Sequence, residues 1–166
     1  MLAESVLQLQ VAIDEVVREA RRPLREDLPV GCDASAVVSG RVEWWRPLAE
    51  DQGRQLQVRL AQSPAPVALS EPELGDIVDI CLDNVFAHTP EGVGFAVSLQ
   101  ANPDGVELVV RDTGQGFPVV TGEARPGTSG LGLQLARRLV ERAGGRLELS
   151  APGVAGAEVR VRLPNP

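Results

Sequence analysis

The sequence predicts an α+β fold of two layers, a mixed sheet covered on one face by helices, with one further helix ahead of it. Three observations carry that prediction. Residues 94–100 and 106–111 alternate apolar and polar side chains, as half-buried strands do. Helix-length segments at 34–52, 70–88 and from 131 onward interrupt the strands, and glycine or proline punctuates nearly every junction. The resulting order, α-β-α-β-β-α-β-β, suits helices packed on one side of a sheet. With 43% hydrophobic residues in a chain of 166, a packed core is affordable.

The elements follow in order. Leu2, Val6, Leu9, Ile13, Val16 and Ala20 are spaced four, three, four, three, four, an a/d stripe. It predicts a helix that packs in a coiled coil or bundle, on its own domain or on a second copy; an ordinary amphipathic surface helix would show the same stripe. Pro23 interrupts the pattern, so residues 1–25 form one unit, and 26–32, with Pro29 and Gly31, read as a linker. Residues 33–166 form the main domain. It opens with a helix over 34–52 stopped at Gly53, a strand over 56–60 and a short strand over 67–69. Ser70 then caps a helix, with Glu73 three residues on as its capping-box partner. That helix runs to about His88. Strands over 94–100 and 106–111, a helix over 131–142 and strands over 146–150 and 158–163 complete the domain. Trp44 and Trp45 are read as core packing and helix docking.

Charge narrows the function. A net charge of −7 and a pI near 4.8 argue against nucleic acid or an anionic membrane surface as the main partner. All sixteen basic residues are arginine, which removes the lysine that a P-loop needs and any Schiff-base chemistry. Cys32, Cys81 and the single histidine, His88, give no zinc-like cluster or disulfide framework, and the thiols read as buried groups in a reducing compartment. No apolar run approaches the ~20 residues of a membrane span, and no secretory leader opens the chain. The sequence predicts a soluble protein.

The chemistry concentrates after the strand over 106–110. Asp112-Thr113-Gly114-Gln115-Gly116-Phe117 is followed by Gly127-Thr128-Ser129-Gly130-Leu131-Gly132-Leu133 at the entrance of a helix. Unpaired N–H groups and the positive end of a helix dipole meet an anion there. One carboxylate followed by two glycine-rich loops suits a purine and its phosphates.

Four ordered motifs carry a family resemblance. Asp83-Asn84 with His88-Thr89-Pro90, Asp112-Thr113-Gly114-Gln115-Gly116, Gly130-Leu131-Gly132-Leu133 and Gly144-Gly145-Arg146-Leu147 resemble the ATP-binding catalytic domain of sensor histidine kinases. The wider group shares the Bergerat fold with type II topoisomerase, mismatch-repair and chaperone ATPases. The resemblance covers about residues 42–164. It implies ATP and Mg²⁺ as ligands, with Asn84 as the metal-binding amide and Asp112 as the acceptor for the adenine amino group. A buried acceptor there would reject guanine. Gly114 and Gly116 would let the backbone approach the purine. Thr128, Ser129, Gly130, Leu131 and Gly132 would meet phosphate, and His88 would lie near the nucleotide rather than serve as the phosphorylated histidine.

The resemblance also implies partners. Residues 1–25 match the second helix of a dimerisation bundle, whose first helix carries the phosphoacceptor histidine and is expected outside this chain. A homodimer through Leu2 to Ala20, a downstream response-regulator receiver domain, and a cytoplasmic location follow, the last either free or as the cytoplasmic portion of a membrane-bound sensor.

Departures from the family pattern bear on catalysis. Ile80 stands one turn before Asn84, where an acid or amide is usual, so no catalytic residue is identified. Asp83 is a weak candidate; Asp79 lies roughly 140° around the helix from Asn84. Ala87 replaces a phosphate-contacting lysine, Ala157 replaces a threonine that supports the adenine-binding Asp, and the lid over 117–127 is short and without an aromatic box. These changes touch transfer rate more than binding. The sequence therefore supports a histidine kinase catalytic domain first. A nucleotide-binding interaction module without transfer and an anti-sigma-type serine kinase stand as alternatives, with a topoisomerase-like ATPase behind them.

Overall fold

The computed structural model describes residues 12–14, 16, 31–62, 64–114, 131–150 and 156–166. The sequence readings at Gly116, Thr128, Ser129, Gly130, the lid over 117–127 and most of the N-terminal stripe lie outside these residues. Residues 12–14 and 16 are helical, and Ile13 and Val16 are 53% and 66% exposed.

The domain proper holds strands β1 (Cys32–Asp33), β2 (Leu56–Arg59), β3 (Pro66–Val67), β4 (Phe95–Asn102), β5 (Gly105–Asp112), β6 (Arg146–Ser150) and β7 (Glu158–Pro164). Its helices are α1 (Ala34–Asp51), α2 (Glu71–His88) and α3 (Leu131–Arg142). Five strands form one sheet in the order β2-β4-β5-β7-β6. The β2–β4 pair is parallel because α2 lies between them in the chain as a crossover; the other pairs are antiparallel. This is the two-layer α+β arrangement that the strand and helix order predicts.

Alternation decides which face the helices cover. Phe95, Val97 and Leu99 of β4, Val106, Leu108 and Val110 of β5, and Val159, Val161 and Leu163 of β7 are all buried. Register places them side by side, Val97 opposite Val110 and Val110 opposite Val159. Against them pack Val38 and Val42 of α1, Leu74, Ile77, Val78 and Cys81 of α2, and Ala136 and Val140 of α3. The other face carries charge. Arg160 pairs with Glu158 at 2.7 Å and with Glu107 at 3.5 Å, Arg162 with Glu107 at 2.8 Å and Glu148 at 3.6 Å, and Arg146 with Glu148 at 3.4 Å. A sheet apolar on one side and polar on the other needs a single helical layer.

Caps and clamps fix the helices. Ser70 Oγ accepts from the Glu73 N–H and the Glu73 carboxylate accepts from the Ser70 N–H at 3.0 Å, so the capping box forms as read. Arg142 of α3 pairs with the same Glu73, tying the end of α3 to the start of α2. Asp79 of α2 accepts from Arg41 Nε at 2.7 Å and from Trp45 Nε1 at 3.0 Å, both on α1. It is thereby committed to helix docking. Trp45 packs as expected, its ring 5.2 Å from that of Phe86, whereas Trp44 is exposed with Arg41 over its face.

The small sheet was legible only in part: the short strand read over 67–69 starts in β3, but its partner β1 was not foreseen. Cys32, read as the end of a linker, pairs with Val67, and Asp33 pairs with Pro66. Asp33 Oδ1 accepts from the N–H groups of Ser35 and Ala65 at 3.0 and 2.9 Å, capping α1 and anchoring β3 with one atom.

Candidate functional site

Helix α2 organises the site. Ile80, Asn84 and His88 are spaced four apart, on one face, and span roughly 12 Å of helix at 1.5 Å per residue. At the first end Ile80, 8% exposed, lies against the start of α3; a Cβ placed on Gly132 would sit 3.4 Å from Ile80 Cγ2. At the other end Thr89, the C-cap of α2, lies against Gly114, where an added Cβ would meet Thr89 Cγ2 at 2.9 Å. The helix thus joins the two glycine segments that the sequence placed in one site. Asn84 and His88 are half-buried between them, and Asp83, on the exposed side, is off that face.

Asp112 ends the central strand β5 with 5% of its surface exposed. Its Oδ1 accepts from the Gly114 N–H at 2.9 Å and from the Ala157 N–H at 3.2 Å, while its own N–H donates to the Ala157 carbonyl at 3.0 Å. Among the described residues, both bonds to this carboxylate fall on Oδ1, which leaves Oδ2 to accept from another donor. The support that a threonine side chain would give at position 157 therefore comes from the Ala157 backbone. Gly156 makes that approach possible: its φ is 102°, and a Cβ there would lie 2.0 Å from the Asp112 carbonyl oxygen.

Behind this corner sits Arg54, which sequence reasoning missed because it reads as a loop arginine after Gly53. It is 6% exposed. Its NH1 donates to Thr89 Oγ1 at 2.7 Å and the Val93 carbonyl at 3.0 Å, NH2 to the Thr89 carbonyl at 3.0 Å, and Nε to Gln52 Oε1 at 2.8 Å. The guanidinium also lies 4.7 Å from the Phe86 ring centroid. Burial pulls its pKa down, while the charges of Glu91 and Asp112 pull it back up.

The two thiols are passive. Burial pushes the Cys81 thiol up to about 12, and burial with nearby acidic residues pushes Cys32 up to about 11. Neither is a reactive thiolate at neutral pH. No group of three or more His, Cys, Asp or Glu that could hold a metal occurs among the described residues. Asn84 carries a hard amide oxygen on that helix face. That donor set fits Mg²⁺, which takes one or two protein oxygens and draws the rest from phosphate and water.

Known proteins resemble this chain in sequence and in fold. The chain is 31% identical over 134 residues to the sensor histidine kinase Hik2 of Thermosynechococcus vestitus, covering 70% of this chain and 34% of that protein. It is 24% identical over 143 residues to the alginate biosynthesis sensor protein KinB of Pseudomonas aeruginosa, covering 80% of this chain and 24% of that protein. It thus spans about a quarter to a third of the length of these curated relatives. Among solved structures, a mycobacterial sensor histidine kinase, MprB, superposes with a TM-score of 0.66 at 28% identity, over 82% of this chain and 97% of that one. Residues 70–166, which hold α2, the central strands and α3, match the family described as histidine kinase-, DNA gyrase B-, and HSP90-like ATPase, and the chain belongs to that family.

Proposed function

We propose that this chain binds MgATP and acts as the catalytic domain of a two-component sensor histidine kinase, transferring the γ-phosphoryl group to a histidine on a dimerisation helix. The observation that carries the reading is Asp112. A buried carboxylate with one oxygen fixed by two backbone N–H groups presents the other as a preorganised acceptor, which suits the adenine amino group. The α2 face then orders the ligand, with the purine at the Thr89 and Gly114 end and the phosphates toward Gly132. Asn84, between them, would hold Mg²⁺, which when bound supplies positive charge against the phosphate oxygens. Backbone N–H groups at the start of α3, where Gly132 lies against Ile80, would meet phosphate. Catalysis of this kind is positioning and charge stabilisation, and it needs little covalent chemistry from the protein.

Titration calorimetry with ADP, with and without Mg²⁺, reads the binding half; the affinity should rise with the metal and fall when Asn84 is replaced by Ala. Labelled ATP and a peptide carrying a phosphoacceptor bundle helix read the transfer half. Tight binding with no label on any such helix would sink the kinase assignment and leave the nucleotide site standing.

Assembly is part of the proposal. Ile13 and Val16, two positions of the a/d pattern, are exposed, and a second copy pairing along Leu2 to Ala20 would cover them. Sedimentation should give a dimer, and Ile13→Glu with Val16→Glu should give a monomer that still binds ADP. A response-regulator receiver domain is the expected downstream partner and the cytoplasm the expected location. No described helix is long and apolar enough to cross a membrane.

A further inference from the structure

Arg54 is a buried cation with no carboxylate in contact with it among the described residues. A charge in that position costs free energy unless its N–H groups are satisfied, and here four of the five are. Three of those four run to Thr89 and Val93, at the end of α2 and in the turn after it. Thr89 is the informative partner. Its hydroxyl donates to the Val85 carbonyl at 2.6 Å and accepts from Arg54 NH1 at 2.7 Å, so both its donor and an acceptor lone pair are engaged and its rotamer has one setting. That setting directs the Thr89 methyl onto Gly114. Gly114 is confined between this methyl and the Asp112 carboxylate, since an added Cβ would stand 2.9 Å from the first and 3.1 Å from Asp112 Oδ1. The Gly114 N–H then holds Oδ1 at 2.9 Å.

We propose that Arg54 is a positioning residue for base selection: by locking Thr89 it presses Gly114 against Asp112 and so aims the second carboxylate oxygen, Oδ2. The inference rests on the adenine reading of Asp112 given above. It goes beyond that reading by placing the control of purine selectivity in a side chain that does not touch the base. A simple staple between the β2 approach and α2 would use the same hydrogen bonds but would not care which purine is bound.

Inosine diphosphate separates the two roles, because it differs from ADP at the amino group, where it carries a carbonyl. The 166-residue chain should bind ADP at least about 10-fold more tightly than inosine diphosphate. Arg54→Met keeps the apolar stem and removes the fork, and should bring that preference to within about twofold, mainly by weakening ADP. Arg54→Lys offers one ammonium for several acceptors and should restore the preference only in part. Thr89→Val keeps the size and the methyl while losing the hydroxyl. It tests the same relay if Arg54→Met does not fold, and it should also narrow the preference. Equal weakening of both nucleotides across these variants, or an unchanged preference, would overturn the proposal while leaving the adenine site intact. A parent chain that does not distinguish the two nucleotides would remove the adenine reading and this inference with it.

Discussion

Asp112→Ala is expected to weaken ADP binding by about 10- to 100-fold, the equivalent of roughly 1–3 kcal/mol for a donor left unpaired in a desolvated slot. The rise in melting temperature that ADP gives the parent should largely disappear. Part of the damage would be structural, because the N–H groups of Gly114 and Ala157 lose their acceptor at the same time. Asp112→Asn separates the two effects. Its amide oxygen can take over the role of Oδ1, which leaves the NH₂ group where the free carboxylate oxygen stood. A donor now faces the base, so the variant should stay folded, lose ADP and gain relative affinity for purines with a carbonyl at that position. An Asn variant that still prefers ADP would mean that the base is read elsewhere.

The second large effect is expected at Ile80. Its side chain is almost fully buried between α2 and the start of α3, so Ile80→Ala should cost about 2–5 kcal/mol in stability. Ile80→Glu should also destabilise, since it sets a carboxylate at a nearly closed contact with Gly132. The two differ in chemistry. A carboxylate one turn from Asn84, on the same helix face, is placed to accept a proton from an attacking water, and neither the parent nor the alanine variant has such a group. Phosphate release should therefore be slow in the parent, slow in Ile80→Ala and faster in Ile80→Glu, measured below each variant's own melting temperature. Fast release by the parent would show that some other residue activates water.

The same contrast shows how much the sequence could reveal. The Ser70–Glu73 box was legible because its partners are three residues apart, and the ends of α2 and α3 followed from local signals. Asp112 stood out because a second glycine segment follows the Asp-x-Gly at the end of a strand, and the structure buries it at the end of β5. Arg54 was not, because its burial depends on Thr89 and Val93, over thirty residues away, and nothing near Arg54 encodes that approach. The support for Asp112 from position 157 was hidden for another reason. A backbone N–H is the same in every residue but proline, so the Ala157 contact leaves no mark except the glycine before it. Pairing of Cys32 with Val67 likewise depends on where α1 delivers the chain, which no two-residue pattern announces.

The charged face of the sheet has a consequence for traffic around the domain. Three arginines and three glutamates there neutralise one another in a continuous ladder, in which the arginines stay in contact with water while Glu158 is buried. A protein settling on this surface would have to strip water from the exposed members, and the pairs already formed leave few charges to reward it. The ladder therefore repels adhesion without projecting a field, and changes in ionic strength should alter it little. Partners would then be expected on the helical side, where the nucleotide is proposed to sit.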